Sequence, residues 1–183
     1  MKIVSRICTT RAVRERVGAS RVRLYKVALA WTGDRMLADD LVQEAIAIGL
    51  NKSHQLREVD KLYPWLYSIL NNCWRRHLRT HQPDADCEPD TLASEVNLEH
   101  QVERQQIVQD VRQAVFRLPV GQREVISLVD LEGFSYAEVA EVLDIPIGTV
   151  MSRLNRARKA LQQALRRMNP GAGLEPVQLR SVR

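Results

Sequence analysis

Cysteine is scarce in this chain: Cys8, Cys73 and Cys87 are the full set. An odd number at wide spacings makes no disulfide framework, which points to a reducing cytoplasm. Cys73 and His77 stand at i, i+4 with His81 and Cys87 downstream, but this spacing fits no familiar zinc site. Cys8 has the alternative of redox activity. Long apolar runs are absent: none approaches the roughly 20 residues that a membrane span needs. The basic start lacks the apolar core of a signal peptide. Glycine (8) and proline (7) are few and scattered, and strand-like alternation is missing, so the class is all-α. No glycine-rich phosphate loop, nucleophile elbow or plausible pair of catalytic carboxylates occurs. Neither catalytic activity nor a cofactor or metal is expected.

Positive charge is plentiful and uneven. The net charge is +5, which suits a polyanionic partner without naming one. Residues 1–26 carry Lys2, Arg6, Arg11, Arg14, Arg16, Arg21, Arg23 and Lys26 against Glu15 alone, whereas Gln82 to Glu103 has acids and no lysine or arginine. Such a split marks a modular chain.

Ser135 to Leu165 gives the sharpest signal. Ser135 and Glu138 have capping-box spacing, and Phe134 can staple onto Val139. Val139, Ala140 and Leu143 continue a helical stripe, Asp144 ends the helix, and Ile145-Pro146 carry the turn. From Ile147, the residues Val150, Leu154, Ala157, Leu161 and Leu165 complete a second buried face, with Ile147 expected on it. Arg153, Arg156, Arg158, Lys159, Arg166 and Arg167 occupy the other faces, with no acid from Ile147 to Met168. Thr149, Ser152, Arg153 and Asn155 lie near the start, where a recognition helix reaches base edges. A helical hairpin with a solvated basic face is the plainer alternative; the whole combination favours a DNA-reading helix-turn-helix.

Upstream, residues 1–20 show no steady apolar period and read as a basic arm, a solvated tail or an upstream extension. Leu24, Val27, Ala28 and Trp31 share a helical face that ends at Gly33. Asp34 then caps a helix with Leu37, Leu41, Ala45 and Ile48 inward and Asp39, Asp40, Gln43 and Glu44 outward. That acidic face reads first as solvated surface, since acids are favoured near helix starts. After the polar stretch Asn51–Lys61, Pro64 marks the first turn of a third helix. Its core stripe is Leu62, Leu66, Ile69, Leu70, Cys73 and His77. Trp65, Tyr67, Asn71, Asn72, Trp74, Arg75, Arg76 and Arg79 remain for other faces, a mixture that suits single-stranded nucleic acid. For both tryptophans, and Trp65 above all, a core position is the alternative.

Thr80 to Glu103 reads as a flexible acidic linker. About 24 residues at ~3.3 Å each can reach ~80 Å, more than the ~60 Å of about 18 base pairs at 3.4 Å. Two helical halves could therefore engage DNA far apart. Leu98 to Leu118 and Gln122 to Leu131 supply two further helices. The expected plan is an arm (1–20), a first domain (21–80), a linker (81–103), a helix-turn-helix domain (104–168) and a disordered tail (169–183).

Together, DLVQE at Asp40–Glu44, WLYSILNN at Trp65–Asn72 and the Leu118–Leu161 stretch resemble the bacterial extracytoplasmic-function (group 4) sigma factors. The resemblance covers roughly residues 21–168. It implies a three-helix-type region 2, a four-helix region 4 and a subunit that binds core RNA polymerase and selects promoters. It implies polymerase contacts, to the β′ clamp with β nearby, at Asp39, Asp40, Leu41, Gln43 and Glu44. It implies that Lys52, Arg57, Lys61, Trp65, Asn71, Asn72, Arg75, Arg76 and Arg79 melt and read the −10 element, with a flipped base whose extrusion costs a few kcal/mol. Ser135, Thr149, Ser152, Arg153, Asn155, Arg156 and Lys159 would read the −35 element. An anti-sigma protein is an implied regulator. Asp144 stands where that family often has glycine, Met151 where it often has a cation and Arg76 where it often has an acid. A stand-alone repressor or activator is the alternative, and it needs neither the DLVQE face nor the aromatic–amide–cation helix.

Overall fold

The computed structural model describes residues 13–56, 58–81 and 109–168. These residues form helices and turns, with no strand among them. Helix α1 covers residues 13–19, followed by α2 (Arg21–Thr32), α3 (Arg35–Lys52) and α4 (Leu62–Thr80). After the linker come α5 (residues 109–116), α6 (Val120–Ile126), α7 (Tyr136–Leu143) and α8 (Ile147–Met168). A π-helical turn, Ser127–Leu131, extends α6.

Local chemistry sets the ends of these elements. Gly33 closes α2 at φ 70°, a left-handed conformation that glycine adopts without a Cβ penalty. Asp34 caps α3, its carboxylate accepting from the Met36 and Leu37 amides at 2.7 and 3.1 Å. The capping box of α7 is complete: the Glu138 amide donates to Ser135 Oγ (3.3 Å) and the Ser135 amide to Glu138 Oε2 (2.8 Å). Asp144 ends α7 at φ 51°, which a short polar side chain tolerates.

Trp31, Leu24, Val27, Val42, Leu66 and Leu70 are the first half's share of one buried cluster, and Leu128, Val139, Leu143, Val150 and Leu154 the second's. Three sequence expectations need correction here. Residues 13–19 are helical, with Val13 and Val17 buried; two apolar residues one turn apart are too short a pattern to stand out from a basic stretch. Ala38 and Val42 are fully buried in α3, whereas Leu37 and Ile48 are only partly so. Ile147, expected inward, is 51% exposed, because α8 has only begun at that residue and α7 does not cover it.

The two halves pack against one another. Helix α4 lies on α7, and α2 lies on α6 and the π-helical turn. The Phe134 ring meets Tyr67 edge-on at 5.3 Å between centroids, a favoured aromatic geometry. Tyr67 and Trp74, expected on outer faces of α4, are buried there. Periodicity shows that a residue avoids its own domain's core; it cannot show that a second domain covers it. The linker lies outside the described residues, as do the tail, Cys8, Cys87 and Arg57.

Candidate nucleic-acid and polymerase interface

Three groups of side chains define the candidate surfaces. The first lies on α3. Met36, Asp40, Gln43 and Ala47 recur at i, i+4, i+7 and i+11, and all four are exposed. Asp39 borders this stripe, accepting from Arg21 Nη2 at 2.8 Å and Gln43 Nε2 at 2.7 Å. The Arg21 hydrogen bond, then that of Gln43, holds its carboxyl below the ordinary carboxylate range. Glu44 pairs with Arg76 of α4. Leu41 is 4% exposed and belongs to the core, so it supports this face from behind. Met36, 80% exposed, is a member that motif reading passed over; its signal was its place one turn before Asp40.

The second group is the α4 set with the preceding loop. Lys52, Lys61, Asn72, Arg76 and Arg79 are exposed, and Lys61 sits 3.5 Å from Glu58. Trp65 is half-buried and packs against the core. Asn71 and Arg75 are occupied. The Asn71 Nδ2 donates to the Val142 carbonyl at 3.2 Å, and Arg75 donates to the Leu143 carbonyl. Both carbonyls belong to the last turn of α7, where backbone acceptors lack helical partners. Asn71 Oδ1 is buried without a hydrogen-bond partner. In this arrangement neither side chain is free to meet a base.

The third group is on α8. Ser152, Asn155, Arg156 and Lys159 are exposed, and Thr149 is half-buried. Arg156 donates back to the Ser152 carbonyl and hydroxyl at 3.3 and 3.4 Å. Arg153 folds over Gly121 of α6, where a Cβ would collide with its guanidinium. Ser135 is engaged as the cap of α7. Arg158 reaches Asp130 of the π-helical turn at 2.6 Å, fastening α8 to α6.

Between these surfaces lies a polar seam that no sequence motif marks. Arg23 pairs with Glu132, whose side chain is 4% exposed, and lies 4.1 Å over the Tyr63 ring, a cation–π placement. Glu124 of α6 is buried. Burial raises its carboxyl above the ordinary value, while Arg75, Arg153 and Trp74 oppose the rise. Arg123 is also buried, its guanidinium depressed by burial and set 4.7 Å over Phe116. Burial, then the Glu44 charge, pushes the Cys73 thiol up to about 11, so it is an inert core thiol. Among the described residues no group of three or more potential metal ligands occurs, and no helix is long and apolar enough to cross a membrane.

Two helical domains, one ending in a cationic helix-turn-helix and the other presenting an acidic face beside an aromatic–amide–cation helix, define a two-part DNA-binding transcription protein. The profile described as "Sigma-70 region 2" matches residues 17–83, and "Sigma-70, region 4" matches residues 109–161. The chain is 30% identical to the ECF RNA polymerase sigma factor EcfG of Rhodopseudomonas palustris, over 85% of this chain and 86% of that one. It is 32% identical to the RNA polymerase sigma-H factor of Pseudomonas aeruginosa over 78% of this chain and 80% of that one. A solved structure of the sigma factor RpoE from Bartonella quintana, in complex with the anti-sigma factor NepR, superposes with a TM-score of 0.66 at 27% identity. That match covers 83% of this chain and 95% of the other. The chain belongs to the extracytoplasmic-function sigma factors of the sigma-70 family, which direct RNA polymerase to promoters.

Proposed function

We propose that the first domain docks on core polymerase through the exposed stripe of α3 and melts and reads the −10 element with α4, while α8 reads the −35 element as duplex. What supports this division most is that α3 carries Asp39, Asp40 and Glu44 on one outer face, Asp40 exposed and unbridged, whereas the unbridged exposed cations of α8 run along one helix without an acid between them. An acidic face repels DNA and suits a protein partner; a row of arginine and lysine suits phosphates. Asp40, Gln43 and Glu44 are the first-domain contacts, with Asp39 held ready by Arg21. Asn72, Arg76 and Arg79 meet the single strand, joined by Asn71 and Arg75 once α7 has moved away. Ser152, Asn155, Arg156 and Lys159 meet the duplex.

The seam follows from the same reading. Residues assigned to the −10 strand also cap α7, so promoter opening requires the two domains to part. A regulator of the anti-sigma kind would act on this closed pair; the RpoE relative was solved with such a partner. The protein works without catalysis of its own, in the cytoplasm beside the polymerase. Run-off transcription with core polymerase and a random promoter library tests the whole reading. Defined start sites preceded by two conserved blocks at fixed spacing are expected only when this protein is added. Equal transcription without it, or tight palindromic DNA binding by the protein alone, would overturn the assignment.

A further inference from the structure

We infer that Met151, flanked by Ile147, is a specificity-determining residue that reads the C5-methyl of a thymine in the duplex entered by α8. This rests on the proposal that α8 lies in the −35 major groove. Met151 is 54% exposed and Ile147 51% exposed, one turn apart on the first two turns of α8. Of the six large hydrophobics exposed among the described residues, these two alone share one helix face of α8. Helical spacing puts Ile147, Met151 and Asn155 in one row (i, i+4, i+8), beside the row of Ser152, Arg156 and Lys159. A Cβ at Gly148 would meet nothing within 4 Å, so no neighbour shields the helix at Met151's own start.

The surrounding charge decides the occupant. From Ile147 to Met168 there is no acid, and Arg156, Lys159, Arg166 and Arg167 are all exposed. That face favours a polyanion over an apolar protein surface. Within a DNA major groove, the thymine methyl is the apolar group that a side chain can read. Methionine is flexible and polarizable enough to fold over it. The cations of the neighbouring row fix α8 on the phosphates, and the apolar row then discriminates thymine from cytosine.

The test uses holoenzyme and a promoter recovered from a random library. Each thymine of the upstream element is replaced in turn by deoxyuridine, which removes only the methyl. Transcription is measured with wild-type protein, Met151→Ala and Met151→Leu. One thymine, or two adjacent ones, should show about a fourfold loss on methyl removal, the effect expected for burying one methyl-sized group. Met151→Ala should lose about the same factor on the thymine promoter and show no further loss with deoxyuridine; Met151→Leu should keep the discrimination. Methyl sensitivity that is absent everywhere, or that persists in both Met151→Ala and the Ile147→Ala/Met151→Ala double variant, would overturn the inference while leaving upstream recognition standing. If no upstream base pair matters at all, the assignment of α8 fails first and takes this inference with it.

Discussion

The side-chain amide of Asn71 donates to the backbone carbonyl of Val142, 3.2 Å away across the join between two domains. With Arg75 on the Leu143 carbonyl, it gives the carbonyls at the end of α7 the donors that their own helix cannot supply. A residue assigned to single-stranded DNA is thus also a helix cap. The two roles exclude one another in time.

Loosening the seam should separate the domains without unfolding either. Arg23→Ala removes the partner of the buried Glu132 carboxylate. The loss should be about 1–2 kcal/mol, below the roughly 3–5 kcal/mol of a fully buried pair because the Arg23 side chain is 37% exposed. Denaturant unfolding would measure the loss. Small-angle scattering should show a larger radius of gyration with helicity unchanged, and an unchanged radius would count against the clasp.

Glu124 should give a pH signature. Its folded carboxyl titrates above the ordinary value, chiefly because it is buried. A raised pKa favours the folded state fully below the unfolded value, and this contribution is lost as pH rises through the folded one. Glu124→Gln lacks that loss. Its melting temperature relative to wild type should therefore be lowest below the ordinary glutamate range and improve as pH rises above it. A difference that stays flat with pH would show that Glu124 does not titrate in this range.

Ser135→Ala should cost about 1 kcal/mol, the usual value of an N-cap, seen as a lower unfolding midpoint. Its effect on promoter use should match that of Gly133→Ala or another destabilising change of equal size. A selective loss of transcription at full stability would return Ser135 to the DNA-contacting set.

Glu44→Lys should weaken core polymerase binding, while Arg76→Ala, which frees Glu44 from its ion pair, should leave binding intact. Fluorescence-detected assembly with core enzyme would separate the two. Equal losses in both variants would mean that the bridge, rather than the acidic face, matters.

Arg156→Ala and Lys159→Ala should each lower the salt slope of upstream-element binding by about one, with little change in base preference, if they contact phosphates. A changed preferred sequence with the slope unaltered would mark them as base readers.

The helices were legible because their signals are local. Asp34 beside Gly33, Ser135 with Glu138, and Val150, Leu154 and Ala157 at helical spacing depend on neighbours within a turn or two. The exposed stripe of α3 was legible for the same reason at Asp40 and Gln43, but not at Met36 or Ala47. Tyr67 and Asn71 were misplaced because their partners, Phe134 and Val142, lie some 70 residues on, and Trp74 because it is buried near Glu124 of α6. Helix α1 escaped notice because two valines are too few to make a period.

The amino-acid order alone determined an all-α chain in two modules, the start of α3 at Asp34 and of α7 at Ser135, the acidic and basic surfaces and the family to which these belong. Each of those follows from spacing along one helix or from charge summed over a segment. Tertiary structure alone decided that the modules clasp, that Arg23 finds Glu132 and that Glu124 is buried near Arg75 and Trp74. It also decided that Leu41 serves the core while Ile147 and Met151 stay open. Those outcomes depend on which surfaces meet in space, and a one-dimensional pattern can say that a face is available without saying what will cover it.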